Sequence, residues 1–250
     1  MSWWEGLYDE LLADVLLERA DDDDVQTIRF LFDRLGLAAG QRAFDQCCGI
    51  GSLALPLAAR GLSVVGVDQA VAYVERGQAR AEARGLDVRL HAGDARAFVP
   101  DAPCDAAFNW WTSFGYSADD DDNQRMLARA FESLRPGGRF ALDTMNLPGV
   151  LRGFQPSVVT RRETPRGEVT LVRETRLDLG QGMMHKTWTY FLPSGERVSH
   201  QSAVRLYLPH TLVALLEGVG FEDVTLYGSV GGDPLSLDGA RCIAVARRPA

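Results

Sequence analysis

Lysine is nearly missing from this 250-residue chain: Lys186 stands alone, and arginine supplies the rest of the 26 basic residues. Long apolar runs are missing as well. None approaches the roughly 20 residues that a membrane-spanning helix needs, which excludes a bilayer span. Cysteine is sparse, with four in all and Cys47 next to Cys48. That pattern supports neither a disulfide framework nor a zinc centre, and reads as small buried thiols in a reducing compartment. Positive charge is in deficit, with a net −8. Nucleic acid, whose phosphates demand a basic face, is therefore not the expected partner. The opening "MSWWEGLYDELLADVLLERADDDD" is acidic and amphipathic. It lacks the basic start and cleavage site of a signal peptide, so a cytoplasmic location is expected.

What is present has two rhythms. Residues 3–19 and 25–35 read as amphipathic helices separated by Asp21 to Asp24, and a second run, Asp119 to Asp122, precedes "NQRMLARAFESL". Aspartates ahead of a helix favour its N-terminus; neither run has the ligand spacing of a metal site. From residue 42, short apolar strands alternate with helices: "RAFDQCC", "SVVGVDQ", "DVRLHAGD", "DAAFNWWT" and "RFALDTMN" are the strands. Such alternation requires right-handed crossovers and a parallel sheet with helices on both faces. Pro56 is expected to kink or shorten the first crossover helix. Between 157 and 208 four longer runs with period two, joined by "TPRG", "LGQG" and "LPSG", predict an antiparallel meander. The α/β pattern then resumes with a helix from 209 and two strands expected to pair antiparallel.

The chain bends sharply through Cys47-Cys48-Gly49-Ile50-Gly51, at the carboxyl end of the first strand. In an open α/β sheet this is where ligands bind. Glycines there can take positive φ and let a ligand approach the backbone, and a helix N-terminus beyond them attracts anionic groups. Asp68 ends the second strand, where a carboxylate can take both hydroxyls of a ribose. Asp94 ends the third, where one can accept from an adenine amine. Three such features at successive strand ends predict an adenosine site.

These segments resemble the class I S-adenosylmethionine-dependent methyltransferases. "FDQCCGIG" is similar to their glycine-rich first motif, "VVGVD" and "AGDAR" to their ribose and adenine strand ends, "DAAFNWWTSFGY" to their fourth strand, and "LRPGGRFALD" to the turn before their fifth. The resemblance is strong over 42–145. It departs at Cys47, where a glycine is usual. It implies a Rossmann-like sheet of seven mostly parallel strands, with the meander inserted after the fifth strand. It also implies S-adenosylmethionine as cofactor, a helical cap over 1–40, a cofactor core over 41–150, an acceptor-lining insertion over 151–207 and a completing segment over 208–250. Cys48, Gly49 and Gly51 would lie against the methionine portion, Asp68 would hold the ribose, Gln69 would stack beside the adenosine, and Asp94 with Ala95 would bind adenine. Asn109 and Trp110 would flank the methionine. Tyr8, with Trp3 and Trp4, would close over the cofactor.

Methyl transfer from a sulfonium needs placement and exclusion of water more than a strong base. If a proton must leave the methyl acceptor, Tyr116 and the meander residues His185 and His200 are the catalytic candidates. Residues 157–207 carry eight basic and five acidic side chains, a net +3 that leaves −11 for the remainder. A small metabolite with a carboxylate or phosphate near Arg161, Arg173 or Arg176 is the charge-based expectation. Two alternatives stay open. A nicotinamide-dependent oxidoreductase would want a glycine at position 47. A non-catalytic S-adenosylmethionine-binding module would keep the cofactor residues without the reaction. Oligomeric state is not legible.

Overall fold

The computed structural model describes residues 6–17 and 24–250. Five parallel strands carry the core: β1 (Arg42–Gln46), β2 (Ser63–Asp68), β3 (Val88–Ala92), β4 (Cys104–Asn109) and β5 (Leu134–Met145). Two late strands, numbered β10 (Glu222–Tyr227) and β11 (Arg241–Arg247) after the four of the meander, complete a seven-stranded sheet in the order β10-β11-β5-β4-β1-β2-β3. β11 runs antiparallel to both of its neighbours. Neighbouring residues on one strand serve opposite faces, and both faces are apolar. Ala43, Val64, Ala106 and Ile243 pack under one layer, while Phe44, Val65, Ala107 and Ala244 pack under the other. That is why these strands read as continuous apolar runs.

The first layer is covered by α2 (Val25–Leu35), α3 (Ala54–Ala58) and α4 (Val71–Ala83), the second by α5 (Asp120–Ser133) and α7 (Pro209–Val219), with the short α6 (Leu147–Arg152) lying between β5 and the meander. Pro56 sits inside α3, which is held to five residues. Asp119 caps α5 by accepting from the Asp121 N–H at 3.0 Å, and Asp120 to Asp122 fill the first turn, where the macrodipole favours them. β5 begins earlier than the pattern predicts. Leu134 pairs with Cys104 ahead of a register shift, so the "RPGG" turn is absorbed into the strand.

The meander forms a separate antiparallel sheet, β6 (Ser157–Thr164), β7 (Gly167–Asp178), β8 (Met183–Phe191) and β9 (Arg197–Arg205), in that order. Val169, Leu171 and Tyr190 on its inner face pack against Leu11 and Val15. Those two belong to α1 (Glu10–Leu12) and to the π-helical stretch Ala13–Leu17 that continues it. Asp9 starts this segment, its Oδ1 accepting from the Leu12 N–H at 2.9 Å. The continuous helix expected over 3–19 is thus replaced, within the described residues, by a capped restart and a wider turn. The far end of the meander is tied to the loop after β4: the Arg205 N–H donates to the Gly115 carbonyl at 2.6 Å. A Cβ on Gly115 would stand 2.7 Å from the Arg205 carbonyl oxygen, and its φ is +93°, so only glycine fits the junction.

Candidate active site

The turn after β1 is built on left-handed backbone, with φ of 69° at Cys47, 55° at Gly49 and 79° at Gly51. The Cys47 and Cys48 N–H groups both donate to the Val67 carbonyl, at 2.9 and 3.0 Å, which folds the turn back onto β2. The two glycines do different jobs. A Cβ on Gly51 would run into Leu55 Cδ1, whereas one on Gly49 would meet nothing within 4 Å. Gly49 therefore faces open space, and Gly51 makes room for α3. Behind the turn, Gly77 of α4 lets the Ile50 carbonyl approach to within 2.8 Å of where a side chain would begin. Cys47 holds its conformation as a residue with a Cβ, which costs on the order of 1–2 kcal/mol relative to glycine.

Asp68 closes the turn from β2. Its Oδ2 accepts from the Gly49 N–H and its Oδ1 from the Ala70 N–H, both at 2.9 Å. Desolvation raises its carboxyl above the ordinary value, against the pull of these N–H groups. Asp45, 3% exposed, opens onto the same cavity from β1. Burial, then the Asp68 charge, pushes its carboxyl well up. Asp94 differs: Arg96 grips it, with Nε and Nη2 donating at 2.8–3.1 Å, and this holds its carboxyl low.

The opposite wall comes from the loop after β4. Trp111 and Thr112 both have positive φ, 55° and 63°. Asp143 at the end of β5, 2% exposed, secures them: Oδ2 accepts from the Trp111 N–H at 3.0 Å, and its backbone carbonyl from Thr112 N–H at 3.0 Å. Arg241 of β11 pairs with Asp143, Nε to Oδ1 at 2.8 Å, and Nη1 donates to Thr112 Oγ1 at 2.9 Å. Across the cavity, the Tyr8 and Tyr116 hydroxyls hydrogen-bond to one another, with their rings stacked at 6.2 Å. Tyr73 packs edge-on against Tyr8 at 6.1 Å and donates to the Asp9 carbonyl at 2.5 Å. Burial raises all three phenols, so each stays protonated at neutral pH.

Nine of the residues singled out from the sequence line this one cavity: Tyr8, Cys48, Gly49, Asp68, Gln69, Asp94, Ala95, Trp110 and Tyr116. Gly51 lies behind it. Asn109, fully buried, also lies behind it, its Nδ2 donating to Gln46 Oε1 at 3.2 Å and standing 3.8 Å from Cys47 Sγ. Gln46 in turn donates to the Met126 carbonyl at 2.9 Å, so this buried pair fixes the floor under Cys47, with Asn109 Oδ1 left without a hydrogen-bond partner. His185 does not join the cavity. It alternates along β8 with Met184 and Trp188 and lines a separate groove with Glu174, Arg176, Lys186 and Gln201. His200 lies on the inner face, Nε2 3.1 Å from Asp9 Oδ2 but out of line for a hydrogen bond. Trp3 and Trp4 lie outside the described residues. Asp45, Trp111 and Ser113 line the cavity without having been singled out. For Asp45 the signal was available, since it opens the glycine motif.

These residues fit an amino acid joined to a nucleoside. Each Asp68 oxygen accepts one N–H and keeps a lone pair for a ribose hydroxyl. Gly49 leaves a Cβ-sized space, and Asp45 offers a buried carboxylate whose raised pKa an ammonium would reverse.

A family model described as a methyltransferase domain matches residues 43–138. An S-adenosyl-L-methionine-dependent Diels-Alderase of Talaromyces variabilis is 30% identical over 195 residues, covering 76% of this chain and 56% of that protein. A 23S rRNA (uracil(1939)-C(5))-methyltransferase of Alkalilimnicola ehrlichii is 46% identical over 72 residues, covering 28% of this chain and 16% of that one. The chain thus spans little more than half, or far less, of the length of these relatives. The solved CcbJ methyltransferase of Streptomyces caelestis shares the fold, with a TM-score of 0.82, 19% identity and coverage of 97% and 98% of the two chains. Among the described residues no helix is long and apolar enough to cross a membrane.

Proposed function

We propose, for a chain that belongs to the class I S-adenosylmethionine-dependent methyltransferases, that it transfers a methyl group to a nitrogen or oxygen of a small metabolite or natural-product intermediate. The observation that carries this reading is the convergence of Gly49, Asp68, Asp94 and the loop after β4 on a single cavity. In this reading residues 41–150 and 208–250 form the cofactor core, 1–40 cap it, and 151–207 border the methyl acceptor. The acidic balance and the four free cysteines support a reducing, cytoplasmic setting.

When bound, S-adenosylmethionine supplies a methyl group that is already activated. The side chains have to place the acceptor atom and keep water out. Asp68 would hold the ribose hydroxyls, Asp45 the methionine ammonium, and Asp94 with the Ala95 N–H the adenine. Tyr8, Tyr73 and Trp110 shield the cavity. The Tyr116 hydroxyl, kept protonated by burial, is a hydrogen-bonding group that orients the acceptor nitrogen or oxygen rather than a base that ionises.

The rRNA relative matches a minor part of both chains, and the net −8 charge opposes a nucleic-acid acceptor. The methyltransferase-domain match displaces the nicotinamide reading. The Diels-Alderase relative favours one second reading, in which the cofactor is bound and the methyl group stays on it. Incubation with methyl-labelled S-adenosylmethionine and a small-molecule extract separates the two. Label in a metabolite supports transfer; cofactor binding with no label in any small molecule supports the second reading.

A further inference from the structure

The inner face of the meander sheet carries two buried donor atoms without an acceptor, Arg173 Nε and the Tyr190 hydroxyl, beside the half-buried Lys186 ammonium. Arg173 on β7 pairs across from Trp188 on β8, and Lys186 and Tyr190 flank Trp188 two residues either side. Cross-strand diagonals of this kind are within reach of long side chains. Arg173 Nη2 donates to Thr160 Oγ1 at 3.1 Å, but its buried Nε has no acceptor. The Tyr190 hydroxyl, on a side chain with no exposure, has none either. Among the described residues Lys186 has no hydrogen-bond or ion-pair partner, and its ammonium sits 5.7 Å from the Trp188 ring centre. The Arg173 guanidinium lies over the same ring at 5.8 Å. The carboxylates of the described facing segment are committed elsewhere: Asp9 Oδ1 caps α1 and Oδ2 stands against His200, while Glu10 and Asp14 pair with Arg166.

Buried donors in a folded protein are almost always matched, and two unmatched ones beside the Lys186 ammonium mark a missing acceptor. The missing group is anionic, because two of the three donors are cationic. Position ties the patch to the cavity. Tyr190 packs on Leu11 and Val15, and Ala13 between those two packs on Tyr73, which lines the cavity on one side. Arg241, which holds the Trp111–Thr112 loop on the other, adds to the positive charge that acts on Lys186. Burial brings the Lys186 ammonium down to about 8, helped by Arg241 and by the way the two cations of the patch disfavour each other's charge. An oxyanion between them would undo that.

We propose that Arg173, Lys186 and Tyr190 bind a carboxylate or phosphate group of the methyl acceptor, which makes the substrate an anionic small molecule anchored on the meander with its reactive atom toward Tyr116. This deepens the methyl-transfer reading and rests on it for the identity of the substrate, but not for the existence of the anion site.

Lys186 is the only lysine, so selective labelling of lysine Cε gives a single side-chain NMR signal. The full chain, with and without S-adenosylhomocysteine, is titrated with inorganic phosphate and separately with acetate. The signal is expected to move saturably, and its own pH titration to shift upward, in at least one arm; the tighter arm identifies the group. Arg173→Gln is expected to weaken that anion about tenfold while cofactor affinity measured by calorimetry is unchanged, and Lys186→Arg, which keeps the charge, to retain methyl transfer that Lys186→Gln loses. No saturable movement with either anion overturns the proposal. Loss of cofactor binding in Arg173→Gln overturns it too, by assigning Arg173 to the fold. Should S-adenosylhomocysteine fail to bind the wild-type protein, the methyl-transfer reading falls while the anion titration still stands or fails alone.

Discussion

Asp68 Oδ2 accepts a hydrogen bond from the Gly49 N–H at 2.9 Å, so the carboxylate that ends β2 is also a structural part of the turn that ends β1. The same side chain braces the glycine bend and faces the cavity.

Replacing it therefore has a double effect. Asp68→Ala removes the acceptor for two backbone N–H groups and, in the proposed reading, for the ribose hydroxyls, and is expected to weaken S-adenosylhomocysteine by about 3 kcal/mol, roughly a hundredfold. Asp68→Asn keeps one acceptor oxygen and should fall between. Calorimetry on protein shown to be folded by far-UV circular dichroism measures both.

Protonation of Asp68 acts in the same direction. Burial raises its carboxyl, so proton uptake begins at a higher pH than for an ordinary aspartate. A protonated carboxyl loses acceptor capacity, so cofactor affinity is expected to fall as pH decreases through that raised value and to be level above it. The mutant Asp68→Asn should lack this dependence. A calorimetric series in pH reads it.

Gly49→Ala separates space from strain. The added Cβ meets no protein atom, but the position has φ +55° and opens on the cavity. Folding is expected to lose about 1 kcal/mol from the left-handed conformation, whereas cofactor affinity should drop more than tenfold, from a methyl group standing in the ligand's path. Thermal unfolding and calorimetry together distinguish the two losses.

Arg241 guards the other wall. Arg241→Gln leaves the buried Asp143 carboxylate without its cation and is expected to cost about 2–4 kcal/mol, less than for a fully buried pair because Arg241 retains contact with water. Adding Asp143→Asn should restore part of the loss, since the uncompensated charge disappears. Chemical denaturation of the two variants tests the sign of that coupling.

How much of this was legible in the chain follows from which forces act locally. The β1–β5 alternation was readable because each strand is apolar on both faces, and Ala43-Phe44 or Ala106-Ala107 serve two layers at once. Asp68 and Asp94 were readable because strand ends punctuate the pattern. The Trp111–Thr112 conformation was not, since it depends on Asp143 and Arg241, more than 30 residues away in sequence. His185 shows a different limit: period two tells which residues share a face with it, but not which face the N-terminal segment covers. Asn109 sits at a strand end like the ligand-facing residues, yet its side chain turns inward because Gln46 and Cys47 offer it partners there. The anion patch needed β7 and β8 in register before Arg173, Lys186 and Tyr190 became neighbours.

The central claim is that the Gly49–Asp68 crevice holds S-adenosylmethionine, and titration of the methyl donor and of S-adenosylhomocysteine into the folded wild-type protein tests it most directly. The account predicts saturable one-to-one heats for both, abolished or sharply weakened in Asp68→Ala. Wild-type protein that is folded and gives no heat with either ligand contradicts it.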